Sequence, residues 1–299
     1  MKRVLVIIVT YNGMKWVDRC LGSIRTSMLP ADVFVVDNGS SDGTQAYIRS
    51  AFPEVTVWES GENLGFGRAN NIGLRRALEG GYDYAYLLNQ DAWVFPDTFS
   101  RLADAMDGGH YGILSPIQLT ASADKPDPRF ARWCPETAMQ EWTSLQNGNQ
   151  TDGRVHEVGF VMAAHWMISR HCLSAVGGFS PAFRHYGEDD NYYQRALYHG
   201  FRCGILSSAG AVHDREMRPM RKESAMRLKC VASVVKVVNP LNCLWFRLAF
   251  QPVELLLISI RYRSMTVFRY IFEFVKSYPS LCRFRSESLE TGAFLGSPE

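Results

Sequence analysis

The 299-residue chain is 46% apolar, 12% aromatic and 21% charged, enough hydrophobic material for one large α/β domain, alone or with an appended segment; disorder, collagen and coiled coil are excluded as the main architecture. Its seven cysteines, at 20, 134, 172, 203, 230, 243 and 282, are never closer than thirteen positions apart, which excludes a zinc cluster or a C-x-x-C redox pair and suits reduced, mostly buried thiols. The formal charge of +2 conceals an asymmetry: Arg218–Arg285 holds thirteen Lys/Arg against three Glu, a net of +10, so the remainder stands at −8.

Met1-Lys2-Arg3 leads straight into Val4–Val9. These six apolar residues are fewer than a signal-peptide h-region needs, and no small-residue cleavage site follows, so a cytosolic body is expected. The β-branched run Leu5–Val9 predicts a strand that ends in Thr10-Tyr11-Asn12-Gly13, with a helical pattern through Trp16, Val17, Cys20, Leu21 and Ile24 after it. A second strand, Val33–Val36, ends in Asp37-Asn38-Gly39-Ser40-Ser41-Asp42-Gly43-Thr44 and leads into a helix over Gln45–Ser50. Strand, polar loop and helix, repeated, read as βαβ units with a parallel sheet. Val55–Trp58 is a third strand, Asn70–Leu78 a helix, and Tyr84–Leu88 a fourth strand stopping at Asn89-Gln90-Asp91. Polar residues thus gather at three strand carboxyl ends, where open α/β sheets bind ligands.

Four prolines between 108 and 155 predict loops and edge strands there. Val158–Ser169 is apolar and suits a strand or a helix, Glu188–Tyr198 is helical, and Ile205–Val212 suggests a closing strand that ends at His213. Beyond Met217, apolar stretches such as Leu241–Phe250 and Val253–Ile260 are broken by Arg247, Pro252 and Glu254, and neither reaches the roughly 18–20 apolar residues of a membrane span. Arg and Lys interleaved with Trp245, Phe246, Phe250, Phe268 and Phe272 suit helices lying in a headgroup plane; a helical subdomain with a solvated basic face is the alternative. The expected division is a body over 1–217 and a helical segment with its tail over 218–299.

A sugar nucleotide presents a base edge, a ribose diol and a diphosphate. Asp37 and Asn38 can serve the first two, although the same string can merely cap its own turn. Asp91 can hold Mg²⁺ or Mn²⁺ against phosphate, and His213 can add a ligand or be an ordinary loop residue. Glu188, Asp189 and Asp190 stand where a helix begins, able to act as an anionic base or to cap the helix. Arg68, beside Gly65-Phe66-Gly67 in an expected loop, can meet phosphate.

Five motifs carry a resemblance across roughly Val4 to His213: V-T-Y-N at Val9–Asn12, V-D-N-G-S-S-D-G-T at Val36–Thr44, N-L-G-F-G-R-A-N-N at Asn63–Asn71, L-L-N-Q-D at Leu87–Asp91 and G-E-D-D-N at Gly187–Asn191. In this order they resemble the family 2 inverting glycosyltransferases of GT-A fold, especially the bacterial rhamnosyltransferase-like branch. The resemblance implies a Rossmann-like, mostly parallel sheet flanked by helices, with the basic helical segment following. It implies donor contacts from Thr10, Tyr11, Asn12, Asp37, Asn38, Asn63, Arg68, Asn70, Asn89, Gln90 and Asp91, a Mg²⁺ or Mn²⁺ site at Asp91 and His213, and a base at Asp189 flanked by Glu188 and Asp190. Asn38, Asn89 and Asn191 stand where many relatives carry Asp. The implied activity is transfer of a sugar, L-rhamnose from dTDP-L-rhamnose first and a UDP-hexose or UDP-galactofuranose next, to a lipid-linked or polysaccharide acceptor in cell-surface glycan synthesis.

The expected site of action is the inner face of the cell membrane, reached peripherally through residues 218–285, with no nucleic-acid partner. A non-catalytic sugar-nucleotide or glycan-binding module on the same scaffold is the competing reading, and Asn89 and Asn191 favour it. A nucleotidyltransferase would need a glycine-rich basic loop after its first strand, which Thr10–Lys15 does not supply.

Overall fold

The computed structural model describes residues 2–107, 111–149, 153–215, 222–262 and 266–296. The expected boundary at 217/218 lies outside the described residues. β1 (Val4–Thr10), β2 (Ala31–Asp37), β3 (Thr56–Glu59) and β4 (Tyr84–Asn89) pair in parallel, in the order β3-β2-β1-β4. Both faces of these strands are covered, which is why they read as continuous apolar runs and not as alternation. Along β1, Val4, Val6 and Ile8 point into one core layer with α1 (Val17–Arg25) and α2 (Thr44–Ala51). Leu5 and Ile7 point into the other, against α3 (Phe66–Glu79). Gly73 lets α3 approach β1 so closely that a Cβ there would overlap Ile7.

Beyond β4 the sheet becomes mixed. β5 (Ala92–Val94) is followed by α4 (Thr98–Asp107), then β6 (Tyr111–Leu119), α5 (Glu136–Gln146), β7 (Val155–Glu157), β8 (His165–Ser169), α6 (Arg170–Val176), α7 (Glu188–Tyr198) and β9 (Arg202–His213). β8 enters antiparallel between β4 and β6, β6 runs parallel to β9, and β5 and β7 close antiparallel on β9.

Two expectations need correction here. The stretch expected to be loops and edge strands contains β6, an interior strand, because Pro116 sits where the β6–β9 register shifts and no ladder N–H is demanded of it. Pro135 precedes α5 at φ −59°, starting a helix where proline composition had suggested none. Arg68, expected on a loop, lies in the first turn of α3, which begins four residues before Asn70.

The C-terminal helices are α8 (Lys222–Val238), α9 (Leu244–Tyr262), α10 (Thr266–Lys276) and α11 (Tyr278–Glu287). They share a third core, with Val235, Val238, Leu255, Phe274 and Leu281 packed around Phe183 of the body. The chain then returns to the body: Gly292 N–H donates to the Ala175 carbonyl (2.9 Å), and Gly178 N–H donates to the Ala293 carbonyl (2.7 Å). Among the described residues no helix is long and apolar enough to cross a membrane.

Candidate active site

Parallel register brings the polar strand ends side by side, with Thr10 opposite Asp37 and Val9 opposite Asn89. The ledge that results is hydrogen-bonded to itself. Asp37, almost fully buried, accepts from Thr10 Oγ1 (3.2 Å) and from the Ser40 N–H (3.0 Å). Asn38 Oδ1 accepts from the Leu64 N–H (2.8 Å), and its amide donates to Asn63 Oδ1 (3.2 Å). Asn12, in the left-handed region at φ 50°, accepts the Ser41 N–H at Oδ1 (2.9 Å). Gln90 grips the backbone of Tyr11 at both its N–H (2.9 Å) and its carbonyl (3.3 Å), leaving the Tyr11 ring half exposed. Asp42 accepts from Thr44 and from the Met14 N–H; these bonds outweigh its partial burial and hold its carboxyl below the usual range.

The β5–β9 pairing sets Ala92 opposite His213, so the preceding Asp91 meets that imidazole: His213 Nε2 lies 3.5 Å from Asp91 Oδ1. Behind it, Arg215 Nη2 donates to His213 Nδ1 (3.3 Å) and Arg215 Nε to Asp127 Oδ2 (3.3 Å). A guanidinium can only donate, so without an ion Nδ1 accepts and the Nε2 proton faces Asp91; an ion bound at Nε2 would have to displace that proton. One carboxylate and one imidazole are a donor set that suits Mg²⁺ or Mn²⁺ when phosphate oxygens and water complete the shell. The residues fit such an ion as a pair; among the described residues no group of three or more His, Cys, Asp or Glu side chains converges as a metal cluster.

A cavity of about 880 Å³ opens between the sheet edge and α8. Glu188, Asp189 and Asp190, the first turn of α7, line it together with Asn89, His213 and Arg215. Gly187 makes the entry into α7 at φ 86°, with Val231 and Val235 of α8 packed so closely that a side chain there would clash. Glu188 is 7% exposed and its Oε2 has no hydrogen-bond partner. Burial, then the neighbouring Asp189, pushes its carboxyl up to about 7. Burial and Asp189 likewise push Asp190 up to about 7. Asp189 is also raised, chiefly by burial, against the opposing pull of the Asp190 N–H (3.0 Å) and the Arg215 charge. A carboxylate raised in this way is a stronger base at neutral pH.

The structure therefore brings Asp189, Glu188, Asp190, Asn89 and His213 to one cavity, with Asp91 in contact through His213. Thr10, Tyr11, Asn12, Asp37, Asn38, Asn63, Gln90 and Arg68 do not line it. Arg68 and Asn63 are exposed, and Asn70 is buried within α3, donating to the Phe66 carbonyl (2.9 Å). Sequence reasoning missed Arg215 and Asp127, separated by 88 positions, and the α8 wall. It also missed His165, fully buried and bonded at both ring nitrogens, to the Tyr86 hydroxyl (3.0 Å) and to the Val212 carbonyl (2.9 Å), which anchors β9 one residue before His213. Burial, reinforced by His213, pushes the His165 imidazole down to about 3, so it stays neutral.

The family model described as Glycosyl transferase family 2 matches residues 5–177. The N-acetylglucosaminyl-diphospho-decaprenol L-rhamnosyltransferase of Mycobacterium tuberculosis is 25% identical over 231 residues, 70% of this chain and 75% of that protein. The undecaprenyl-phosphate mannosyltransferase of Micrococcus luteus is 38% identical over 143 residues, 47% of this chain and 56% of that one. Among solved structures, S. aureus TarS in complex with UDP superposes with a TM-score of 0.57 at 16% identity, covering 97% of this chain and 88% of that one. GalNAc-T7 with UDP, GalNAc and Mn²⁺ superposes at 0.59 and 13% identity, covering 94% and 58%. These superpositions place the fold among the GT-A transferases.

Proposed function

The chain belongs to glycosyl transferase family 2 and is a glycosyltransferase, and from that premise we propose that it transfers a sugar with inversion from a nucleotide donor to a hydroxyl of a lipid-diphosphate-linked glycan. The observation that carries the reading is the meeting of the Asp91–His213 pair and the α7 carboxylates at one cavity on the carboxyl edge of the sheet. In this reading Thr10, Tyr11, Asn12, Asp37, Asn38 and Asn63 shape the nucleoside seat. The ring of Tyr11, held by Gln90, offers a face to the base, and the lone pairs remaining on Asp37 accept from base or ribose. Arg68 and the first turn of α3 meet the diphosphate, where a helix N-terminus favours anions.

Asp189 takes the proton of the acceptor hydroxyl as the hydroxyl oxygen attacks the anomeric carbon opposite the departing diphosphate. Glu188 and Asp190 keep its surroundings acidic enough that the proton is held near neutrality. Arg215, bound to Asp127, fixes the His213 ring and adds positive charge beside Asp189. Asp91 and His213 would hold Mg²⁺ or Mn²⁺, which when bound offsets charge gathering on the leaving diphosphate.

dTDP-L-rhamnose is the first donor, supported by the likeness to a rhamnosyltransferase; a UDP-hexose or UDP-galactofuranose is the other. The test is a panel of nucleotide sugars with a prenyl-diphosphate-linked glycan, with and without Mn²⁺. The readouts are release of nucleoside diphosphate and the anomeric configuration of the product. Metal-dependent transfer with inversion supports the reading, and retained configuration or no transfer from any donor overturns it.

The protein acts, in the same proposal, at the inner face of the cell membrane. α9 and α10 carry exposed apolar side chains that include Trp245 (76% exposed), Leu257, Ile260, Phe268 and Phe272, within the segment of net charge +10. That combination complements an anionic lipid surface, at about 1 kcal/mol per well-placed cation. Trp245→Glu with Ile260→Glu is expected to abolish sedimentation with phosphatidylglycerol vesicles, and 1 M salt to weaken it. Unchanged sedimentation of the double variant would exclude this surface.

A further inference from the structure

α8, the first helix of the C-terminal helical segment, also forms a wall of the cavity, with Arg227, Leu228, Val231, Ala232, Val235 and Lys236 facing it. These positions follow a helical spacing that makes one continuous stripe. Its charges differ in their circumstances. Lys236 is paired with Glu254 (2.8 Å to Oε2), and Arg215, elsewhere on the cavity wall, is held by Asp127. Arg227 makes no ion pair with an acidic side chain among the described residues. It stands near His185, which also lines the cavity, and the charges of Arg227 and Arg184, after burial, are what hold that imidazole below its usual range. A guanidinium with no acidic partner among the described residues, beside an imidazole able to donate a hydrogen bond, suits an anion.

The opposite character of the α7 turn makes such a site necessary. An acceptor sugar bearing its own diphosphate must approach Asp189 beside Glu188 and Asp190, and three carboxylates repel it. The Arg227 guanidinium at the cavity wall offsets that repulsion, and the apolar side chains that follow Arg227 along α8 continue away from it with no charge before Lys236 except the outward-facing Lys229. A phosphate at one end and an apolar track beyond it match a prenyl-type lipid phosphate.

We propose that Arg227 and His185 bind the phosphate of the lipid-linked acceptor, and that Leu228 and Val231 receive the first part of its hydrocarbon chain. The assignment rests on the transferase reading above and adds the acceptor subsite to it. α8 then joins the exposed apolar side chains of α9, a helix against which it packs, to the reacting centre, so that a lipid held in the bilayer surface delivers its head into the cavity.

The test is equilibrium binding to the full chain by calorimetry, with saturating UDP or dTDP present so that the donor seat is filled. Farnesyl diphosphate, inorganic pyrophosphate and farnesol serve as the three probes. Farnesyl diphosphate is expected to bind about ten-fold or more tightly than either fragment, and Arg227→Gln to weaken it about ten-fold, the loss of one charge-assisted contact, while leaving farnesol unchanged. Leu228→Gln should weaken farnesyl diphosphate and leave pyrophosphate as it was. Equal binding by wild type and Arg227→Gln overturns the proposal, and pyrophosphate binding as tightly as farnesyl diphosphate reduces the site to one for a free anion. Nucleoside diphosphate affinity of Arg227→Gln, measured first, should match wild type and shows that the variant is folded. Because no sugar transfer is read, an inactive wild type would sink the transferase reading without touching this binding result, and the converse also holds.

Discussion

The two sides of the site treat their polar groups in opposite ways. On the strand-end ledge every group that matters is satisfied by a neighbour: Asp37 by Thr10 and Ser40, Asn38 by Leu64 and Asn63, Asp42 by Thr44 and Met14. In the cavity the reverse holds, with Glu188 Oε2 unpaired, three carboxylates crowded into one helical turn, and Arg227 lacking an acidic partner among the described residues. Satisfied groups rigidify a loop, and unsatisfied ones are held ready for something that arrives later. In the proposed function the ledge is scaffold for the nucleoside, while the cavity stores the electrostatic imbalance that the reaction would relieve.

That contrast breaks most visibly at Asp189. Asp189→Asn should lower kcat by about 10²–10⁴-fold, the range of a general base, with nucleoside diphosphate affinity unchanged and the melting temperature level or higher, because one of three repelling carboxylates is gone. Turnover within a few-fold of wild type in the folded variant would remove Asp189 from the chemistry and leave Asp190 or Glu188 in its place.

The next effect belongs to the ledge. Asp37→Ala strands the Thr10 hydroxyl and the Ser40 N–H without their buried acceptor, a loss of about 1–3 kcal/mol. For a chain of this size that is a fall of several degrees in melting temperature, with nucleoside diphosphate affinity reduced alongside. A variant as stable as wild type would mean that the ledge is held by its other bonds and that the contrast with the cavity is overstated.

How far the sequence announces these two sides differs for the same reason. β1, β2 and β4 are legible because strands buried on both faces must be apolar throughout, and α7 because carboxylates gather at a helix start; it runs over Glu188–Tyr198 as expected. The ledge residues are legible as a string because they are close in sequence. Whether Asp42 caps a turn or meets a ligand is not, since both uses need the same residue type, and the structure gives Asp42 to the turn. The cavity wall is illegible for a different reason: Arg215, held by Asp127, and Arg227 reach the cavity beside α7 only through β9 and α8, and long-range pairing leaves no local periodicity. β6 itself hides behind Pro116, tolerated by a register shift that only the partner strand reveals.

The smallest effect concerns the pH response that the cavity imposes on the whole fold. Glu188 and Asp190 are raised to about 7 by burial and by Asp189, whereas in the unfolded chain they ionise near the usual carboxylate range of roughly 4. Between about pH 4 and 7 the unfolded state therefore binds fewer protons than the folded one at these positions, so their contribution to stability is full below that window and is lost as pH rises through it. In the proposed mechanism activity runs the other way, because Asp189, raised alongside them, must lose its own proton before it can act as the base. Glu188→Gln deletes the buried charge while keeping the side chain's shape. Its melting temperature should match wild type near pH 4 and exceed it by a few degrees at pH 8. A difference that stays constant from pH 4 to 8 would show that Glu188 is not held protonated by its surroundings, and the imbalance assigned to the cavity would then rest on Asp189 and Asp190 alone.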